Sequence, residues 1–184
     1  MTVTGTQLDD VTLVARARDG DAHAYEQLVT RYEGPIYRLA LRMLANAADA
    51  EDVTQDAFLT AWRQLGQLQE DAAFVGWLYR SATNRCLNVI RSRKPLVDGT
   101  PEEHAAPGPD GKPEQQAETS AQLAALSAAM ARLTPEKRAC WLLREVHGRS
   151  YDEIAATLAV SATTVRGRIA RARAELAEVM SPWR

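Results

Sequence analysis

Sheet-forming residues are scarce in this 184-residue chain. Aromatic side chains make up 6% of it, with only two phenylalanines, and β-branched residues are sparse. Alanine, leucine, arginine and glutamate dominate instead, a mix that favours helix over strand. Long apolar runs are missing too, and no stretch approaches the ~18 residues that a membrane span needs. The opening residues MTVTGTQLDD lack a basic segment followed by an apolar one, so no signal peptide is expected. Cysteine is limited to Cys86 and Cys140, far apart and without a CxxC spacing. They are expected to be isolated buried thiols in a reducing, cytoplasmic compartment, with no disulfide between them. The three histidines, His23, His104 and His147, share no metal-ligand spacing. With no phosphate-cradling glycine loop and no nucleophile–base pair, no metal, cofactor or enzymatic activity is expected.

Proline is concentrated where apolar periodicity fails. Five of the eight prolines fall in Pro95–Glu118, and residues 96–120 hold six acids against one lysine. Such a segment buries too little surface to offset its ordering entropy, so it is expected to be a flexible acidic linker rather than a long ordered surface loop. The expected fold class is all-α, with one small helical domain over residues 1–95 and another over residues 121–184. The formal net charge of −2 hides an asymmetry between them. Residues 1–95 carry 11 basic and 12 acidic side chains, whereas residues 121–184 carry 10 basic and 6 acidic ones. Charge counted by domain points to an anionic partner for the second.

In the first domain the apolar spacing predicts a helix over about Ala22–Arg31. At Gly34-Pro35 a kink or restart is expected, with continuation over Ile36–Leu44. A turn follows at Asn46–Asp49. A helix over about Ala50–Leu65 places Val53, Ala57, Ala61 and Leu65 on one face, flanked by Phe58 and Trp62. A last long helix is expected over about Asp71–Arg93.

In the second domain, Thr134 caps and Pro135 opens the helix of LTPEKRACWLLREVHG, with Leu142, Leu143, Val146 and Trp141 read as core and Gly148 as its stop. The run SYDEIAATLA carries a capping box, Ser150 with Glu153, and buries Ile154, Ala155 and Leu158. A short turn at Ala159-Val160 leads to Ser161, which caps a final helix. There Val165, Ile169, Ala172, Leu176 and Val179 form one stripe. Thr163, Gly167, Ala170 and Arg171 point away from it, Arg166 beside them and Arg168 and Arg173 on the flanks. Four arginines fall within Thr163–Arg173, with no acid before Glu175. A solvated helix face usually mixes acids with bases, whereas a face of small residues and arginines suits close approach to a polyanion. Two short helices, a tight turn and a basic second helix make a helix-turn-helix, in which the second helix enters the major groove. Gly167 supports this reading, since glycine inside a helix costs about 1 kcal/mol relative to alanine and an exposed face gains nothing structural from it.

The helix of AAFVGWLYRSATNRCLNVIRSRK has a basic-aromatic side of its own. Arg80, Asn84 and Arg91 share a stripe. Trp77 borders it near Asn88, and Arg93 and Lys94 extend the charge. An aromatic beside Arg and Asn suits stacking on unpaired bases, as in single-strand binders. The alternatives are that Trp77 is core and that the terminal cations offset the helix dipole. The preceding helix gathers Asp49, Glu51, Asp52 and Asp56 in DAEDVTQDAF. Such an acidic patch would repel DNA and fits a basic protein partner.

DAEDVTQDAFLTAW, FVGWLYRSATNRCLNVIRSR and LTPEKRACWLLREVHGRSYDEIAATLAVSATTVRGRIARARAEL, in that order, resemble bacterial sigma factors of the extracytoplasmic function group of the sigma-70 family. The resemblance covers nearly the whole chain outside the linker and the extreme ends. It implies that residues 1–95 form region 2 and residues 121–184 region 4. It implies contact of Asp49, Asp52, Gln55 and Asp56 with the clamp helices of core RNA polymerase. The loop QLQED, between Leu65 and Ala72, would form a pocket for a base flipped out of the −10 element. Trp77, Arg80, Asn84 and Asn88 would lie along the melted strand, with Arg91, Arg93 and Lys94 on phosphates. Arg166, Gly167, Ala170 and Arg171 would read the −35 element, while Thr163, Thr164 and Arg168 position their helix through the backbone, and Ser161, its cap, would join them at the −35 DNA. Promoter DNA, core polymerase and an anti-sigma factor are the implied partners, with no membrane insertion. Asn88 stands where many relatives carry aspartate, and Gly167 and Ala170 are smaller than the residues often found there. Those departures bear on the promoter sequence, not on the class. A free-standing helix-turn-helix regulator with an N-terminal dimerisation or sensing module is the alternative.

Overall fold

The computed structural model describes residues 8–93 and 124–179. The expected linker over residues 96–120 and Lys94 lie outside the described residues. Among the described residues the chain is helical and no strand occurs.

Local capping chemistry begins most of the helices. Asp9 accepts from the Thr12 amide at 2.9 Å to open α1 (Asp10–Arg18). Asp21 accepts from the His23 and Ala24 amides at the start of α2 (Ala22–Leu44). Asn46 accepts from the Asp49 amide at 2.9 Å at the start of α3 (Ala47–Gln64), so the expected turn at Asn46–Asp49 is instead a cap followed by helix. Each cap satisfies an amide that the first helical turn leaves without a partner. The long fourth helix, α4 (Phe74–Ser92), starts later than expected, because Asp71–Ala73 form a separate 3-10 turn.

Helix α2 runs unbroken through Pro35, so the expected restart does not occur. Proline inside a helix costs about 3 kcal/mol. Leu28, Ile36, Leu39, Ala40 and Met43 all lie fully buried along that helix. Their burial, at about 1.5–3 kcal/mol for each large side chain, outweighs the proline. Opposite them α3 presents Ala50, Ala57 and Ala61, all nearly inaccessible, and these small residues let the two helices approach closely. Phe74, Leu78, Ala82 and Cys86 of α4 and Leu13 and Val14 of α1 close the same core.

The second unit begins with α5 (124–132) and α6 (Pro135–Trp141), the latter capped by Thr134 with Pro135 in its first turn. A π-helical turn over Leu142–Val146 follows. A π turn holds more residues than an α turn, which swings Val146 off the apolar stripe. Val146 is 41% exposed, against the expectation that it is core. Gly148 ends the segment at φ +63°, a left-handed conformation suited to glycine. The capping box opens α7 (Tyr151–Leu158): Ser150 accepts from the Glu153 amide at 3.1 Å, and Glu153 accepts from the Ser150 amide at 2.7 Å. Ile154 is buried there, while Ala155 and Leu158 are half-buried. Ala159 turns the chain at φ +53° into α8 (Ala162–Val179).

The two units pack together along α4. The Tyr79 hydroxyl and His147 Nδ1 are hydrogen-bonded at 3.2 Å, and the Arg149 guanidinium lies 4.8 Å from the centre of the Tyr79 ring. Arg138 donates to the Met43 carbonyl at 2.7 Å and to three carbonyls of its own unit. Burial, reinforced by the guanidiniums of Arg42, Arg38 and Arg149, pushes His147 down to about 4. The unfolded chain, with an ordinary value of 6.5, therefore takes up the proton first as pH falls. Stability contributed by the neutral ring is present above pH 6.5 and is lost on the way to pH 4. We expect the denaturation midpoint to drop between pH 7 and pH 5, and His147→Gln to remove most of that drop. An equal drop in the variant would locate the pH dependence elsewhere.

Candidate nucleic-acid and protein interfaces

Helix α8 owes its orientation to one apolar stripe. Val165, Ile169, Ala172 and Leu176 are buried and Val179 is half-buried. Ser161 accepts from the Thr164 amide at 3.1 Å and fixes where the helix starts. With that stripe inward, Ser161, Thr163, Thr164, Arg166, Ala170 and Arg171 are exposed, and Gly167 and Arg168 half-buried. The face is braced from behind. The Tyr151 ring receives the guanidinium of Arg166 at 5.1 Å and that of Arg144 at 4.6 Å, and Arg173 pairs with Glu145 at 2.6 Å. A β-carbon at Gly167 would meet nothing closer than an Arg171 nitrogen at 3.9 Å, an ordinary contact. Packing therefore does not require glycine at this position.

On α4 the structure separates the expected strand-facing residues. Arg80, Asn88 and Arg91 are exposed, Asn84 is half-buried, and Trp77 is half-buried against the core. Trp77 thus combines the two readings of it, packing one part of its ring and offering the rest. Arg93 is engaged inside the molecule, donating to the Leu44 carbonyl at 3.0 Å and pairing with Asp49.

The acidic patch is likewise split. Asp49 pairs with Arg93, and Asp56 accepts from Arg85 at 2.8 Å, whose other arm reaches the Thr60 hydroxyl. Asp52 and Gln55 are exposed on the same helix. Beside them is a feature that helical periodicity did not single out. Tyr25 and Val29 of α2 and Phe58, Leu59 and Trp62 of α3 line an open apolar groove of about 540 Å³, which Gln55 also borders. Leu59 and Trp62 are 51% and 42% exposed, and the Trp62 ring leans on Tyr25 at 4.7 Å. The sequence signal was the pair Leu59 and Trp62 standing off the core stripe of an otherwise polar face.

Both cysteines are buried and free, and burial pushes the Cys86 thiol up to about 12, as suits packing atoms rather than reactive ones. Among the described residues no group of side chains could hold a metal ion, and no helix is long and apolar enough to cross a membrane.

A helical bundle with a basic-aromatic helix, packed on a helix-turn-helix whose second helix bares an arginine face, is the arrangement of a DNA-binding protein. Sequence models agree: that of Sigma-70 region 2 matches residues 28–95, and that of Sigma-70, region 4 matches residues 123–176. The ECF RNA polymerase sigma factor SigE of Mycolicibacterium smegmatis is 38% identical over 183 residues, covering 97% of this chain and 68% of that protein. The RNA polymerase sigma-H factor of Pseudomonas aeruginosa is 35% identical, covering 96% of each chain. Among solved structures, that of CnrH in complex with the cytosolic domain of CnrY superposes with a TM-score of 0.72 at 28% identity, covering 94% of this chain and 97% of that one. The sigma factor RpoE of Bartonella quintana, solved with the anti-sigma factor NepR, shares the fold at a TM-score of 0.69 and 20% identity, covering 85% and 96%. The chain belongs to the extracytoplasmic function sigma factors of the sigma-70 family, which makes it an RNA polymerase sigma factor.

Proposed function

We propose that this sigma factor directs core RNA polymerase to its promoters through three separate surfaces. The exposed face of α8 reads the −35 element, with Arg166, Gly167, Ala170 and Arg171 toward base edges and Thr163, Thr164 and Arg168 on the backbone. The loop over residues 67–71 and the exposed side of α4, with Trp77, Arg80, Asn84, Asn88 and Arg91, take the melted −10 strand. Flipping a base costs a few kcal/mol, which a pocket and a stacking ring offset. Asp52, Gln55 and Asp56, with the apolar groove beside them, meet the clamp helices of polymerase, and Asp49 and Arg93 brace that surface as an internal pair. An anti-sigma factor, of the kind that the Bartonella quintana relative binds, is a further partner.

The observation that carries the reading is the outward face of α8, free of acids from Ala162 to Ala174 and set on a buried stripe. One helix-turn-helix offers a modest interface, so selectivity depends on tethering to polymerase. Tyr79–His147 and Arg138–Met43 join the two units beside buried apolar side chains. Release of region 4 from those contacts on binding polymerase would let it reach an element on a different turn of the duplex.

Run-off transcription with and without core polymerase tests this directly. Specific transcripts are expected only when both proteins are present. Tight sequence-specific binding by the chain alone, with no ability to program core, would favour the free-standing regulator instead.

Gly167 permits a sharper test. Gly167→Ala is expected to stabilise the fold by about 0.5–1 kcal/mol, because the new methyl group meets only an ordinary contact. The same methyl stands where the groove must approach, so −35 duplex binding by holoenzyme should weaken by about 1 kcal/mol or more. A thermal melt and a binding titration should therefore move in opposite directions. Unchanged binding would remove Gly167 from the interface.

A further inference from the structure

Between α3 and α4 the chain makes a 3-10 turn at Leu65–Gln67, an extended step at Leu68, and a second 3-10 turn at Asp71–Ala73. Neither turn has a side-chain cap. Gly66, Gln67, Gln69, Glu70, Ala72 and Ala73 are all exposed. The backbone bonds within the loop are short-range, from the Leu68 amide to the Leu65 carbonyl and from the Ala73 amide to the Glu70 carbonyl. Leu65 is buried and Leu68 packs against the core, so the first turn is anchored, whereas the stretch from Gln69 to Ala73 has little of its own to hold one shape.

One side chain from outside supplies the missing restraint. Arg18, in the last turn of α1, donates through Nη2 to the Leu68 carbonyl at 2.8 Å. The same nitrogen lies 2.5 Å from Oδ1 of Asp71. Arg18 and Asp71 are 30% and 22% exposed, so water screens the pair only in part. Among the described residues, no other side chain hydrogen-bonds to residues 65–73. The contact to Asp71 is Coulombic rather than an aligned hydrogen bond, since Oδ1 and the Arg18 Nε are both buried without a hydrogen-bond partner. One planar cation thus ties the middle of the loop to the start of its second turn. That turn leads straight into α4, which carries Trp77.

We propose that Arg18 is a positioning residue for −10 specificity: by joining Leu68 to Asp71 it holds the base-accepting loop in one shape without touching DNA. The proposal rests on reading residues 67–71 as the wall of the flipped-base pocket. A preformed pocket charges its loop-ordering cost before the base arrives, so right and wrong bases are told apart by contacts alone. Without Arg18 the loop adjusts to whichever base enters, and the discrimination falls. Lysine offers a single ammonium in place of a planar fork, so it restores the link only in part.

The test uses holoenzyme and fork-junction DNAs that share one −35 element and carry each base in turn at every unpaired −10 position. The wild type identifies the preferred base and the ratio by which it is preferred. We expect Arg18→Ala and Asp71→Asn to lower that ratio about tenfold, the scale of one mismatched contact. Arg18→Lys should be intermediate, and binding to core polymerase and to −35 duplex should be unchanged. Gln67→Ala/Gln69→Ala, altering the pocket wall itself, should also lower the ratio. If the glutamine variant changes the ratio while the Arg18 and Asp71 variants keep it, the positioning role is overturned and the loop reading stands. If none of them changes it, both fall. A loss of melting temperature with the ratio intact would make Arg18 merely structural. Should Arg18→Ala fail to fold, Arg18→Lys and Asp71→Asn decide the matter alone.

Discussion

Alanine at both Arg166 and Arg171 is expected to weaken binding of a −35 duplex by about 2–6 kcal/mol, roughly 1–3 kcal/mol for each base-edge contact, and to leave region 4 folded. Both side chains are exposed on α8, so neither contributes to the core. Arg171 extends past Gly167 into the part of the face where the helix is slimmest. Arg166 rests over Tyr151, beside which Arg144 also lies. An exposed cation–π contact of this kind is worth about 0.5–1 kcal/mol, so the folding cost of losing it is small. Its larger effect is to hold the guanidinium in place before DNA arrives. Salt separates base reading from phosphate binding. If the two arginines read bases, selectivity for promoter over scrambled −35 DNA collapses in the double variant. If they bind phosphates, affinity falls equally on all sequences and each loss lowers the slope of log K against log salt by about one. Retained selectivity with a normal salt slope would mean that α8 meets DNA by another face.

The features legible in the sequence were those set by short-range chemistry. Thr134-Pro135, Ser150 with Glu153, and Ser161 mark helix starts because their partners lie within one turn. The stripe Val165–Ile169–Ala172–Leu176 was readable for the same reason, since a helix sorts its own faces. The family resemblance rested on such runs. Harder to see was anything decided across the molecule. Helix α1 has only a weak apolar pattern, and it is held by Arg31 and Tyr32 of α2, both of which bond Asp10. Pro35 argued for a break that the surrounding burial overrode. Val146 followed the right period until a π turn shifted it. The ion pairs Asp49–Arg93 and Asp56–Arg85 join residues 44 and 29 positions apart. From a single helix, Asp49, Asp56 and Arg93 each looked free for a partner.

That pairing decides which acids to reverse. Asp52→Arg together with Asp56→Arg is expected to weaken association with core polymerase by about 2–5 kcal/mol, the range for disrupting charge pairs across an interface. Asp52 is exposed, and its reversal should not disturb folding. Asp56 gives up its contact with Arg85, but that carboxylate is 58% exposed, and pairs in such surroundings contribute less than about 1 kcal/mol. Arg85 keeps its bond to the Thr60 hydroxyl. Asp49→Arg would be a poorer test, because it also breaks the pair with Arg93, which ties the end of α4 to the Leu44 carbonyl, and confuses a binding effect with a structural one. The apolar groove offers an independent readout. Leu59→Ala should cost further core affinity while leaving the salt dependence unchanged, whereas the double charge reversal should alter that dependence. If the reversed variant binds core as the wild type does, at every salt concentration, the acidic side of α3 is not the polymerase surface. The exposed Leu59 and Trp62 would then have to serve a different protein partner, and competition between the groove variant and wild type for an anti-sigma factor would be the measurement that distinguishes the two.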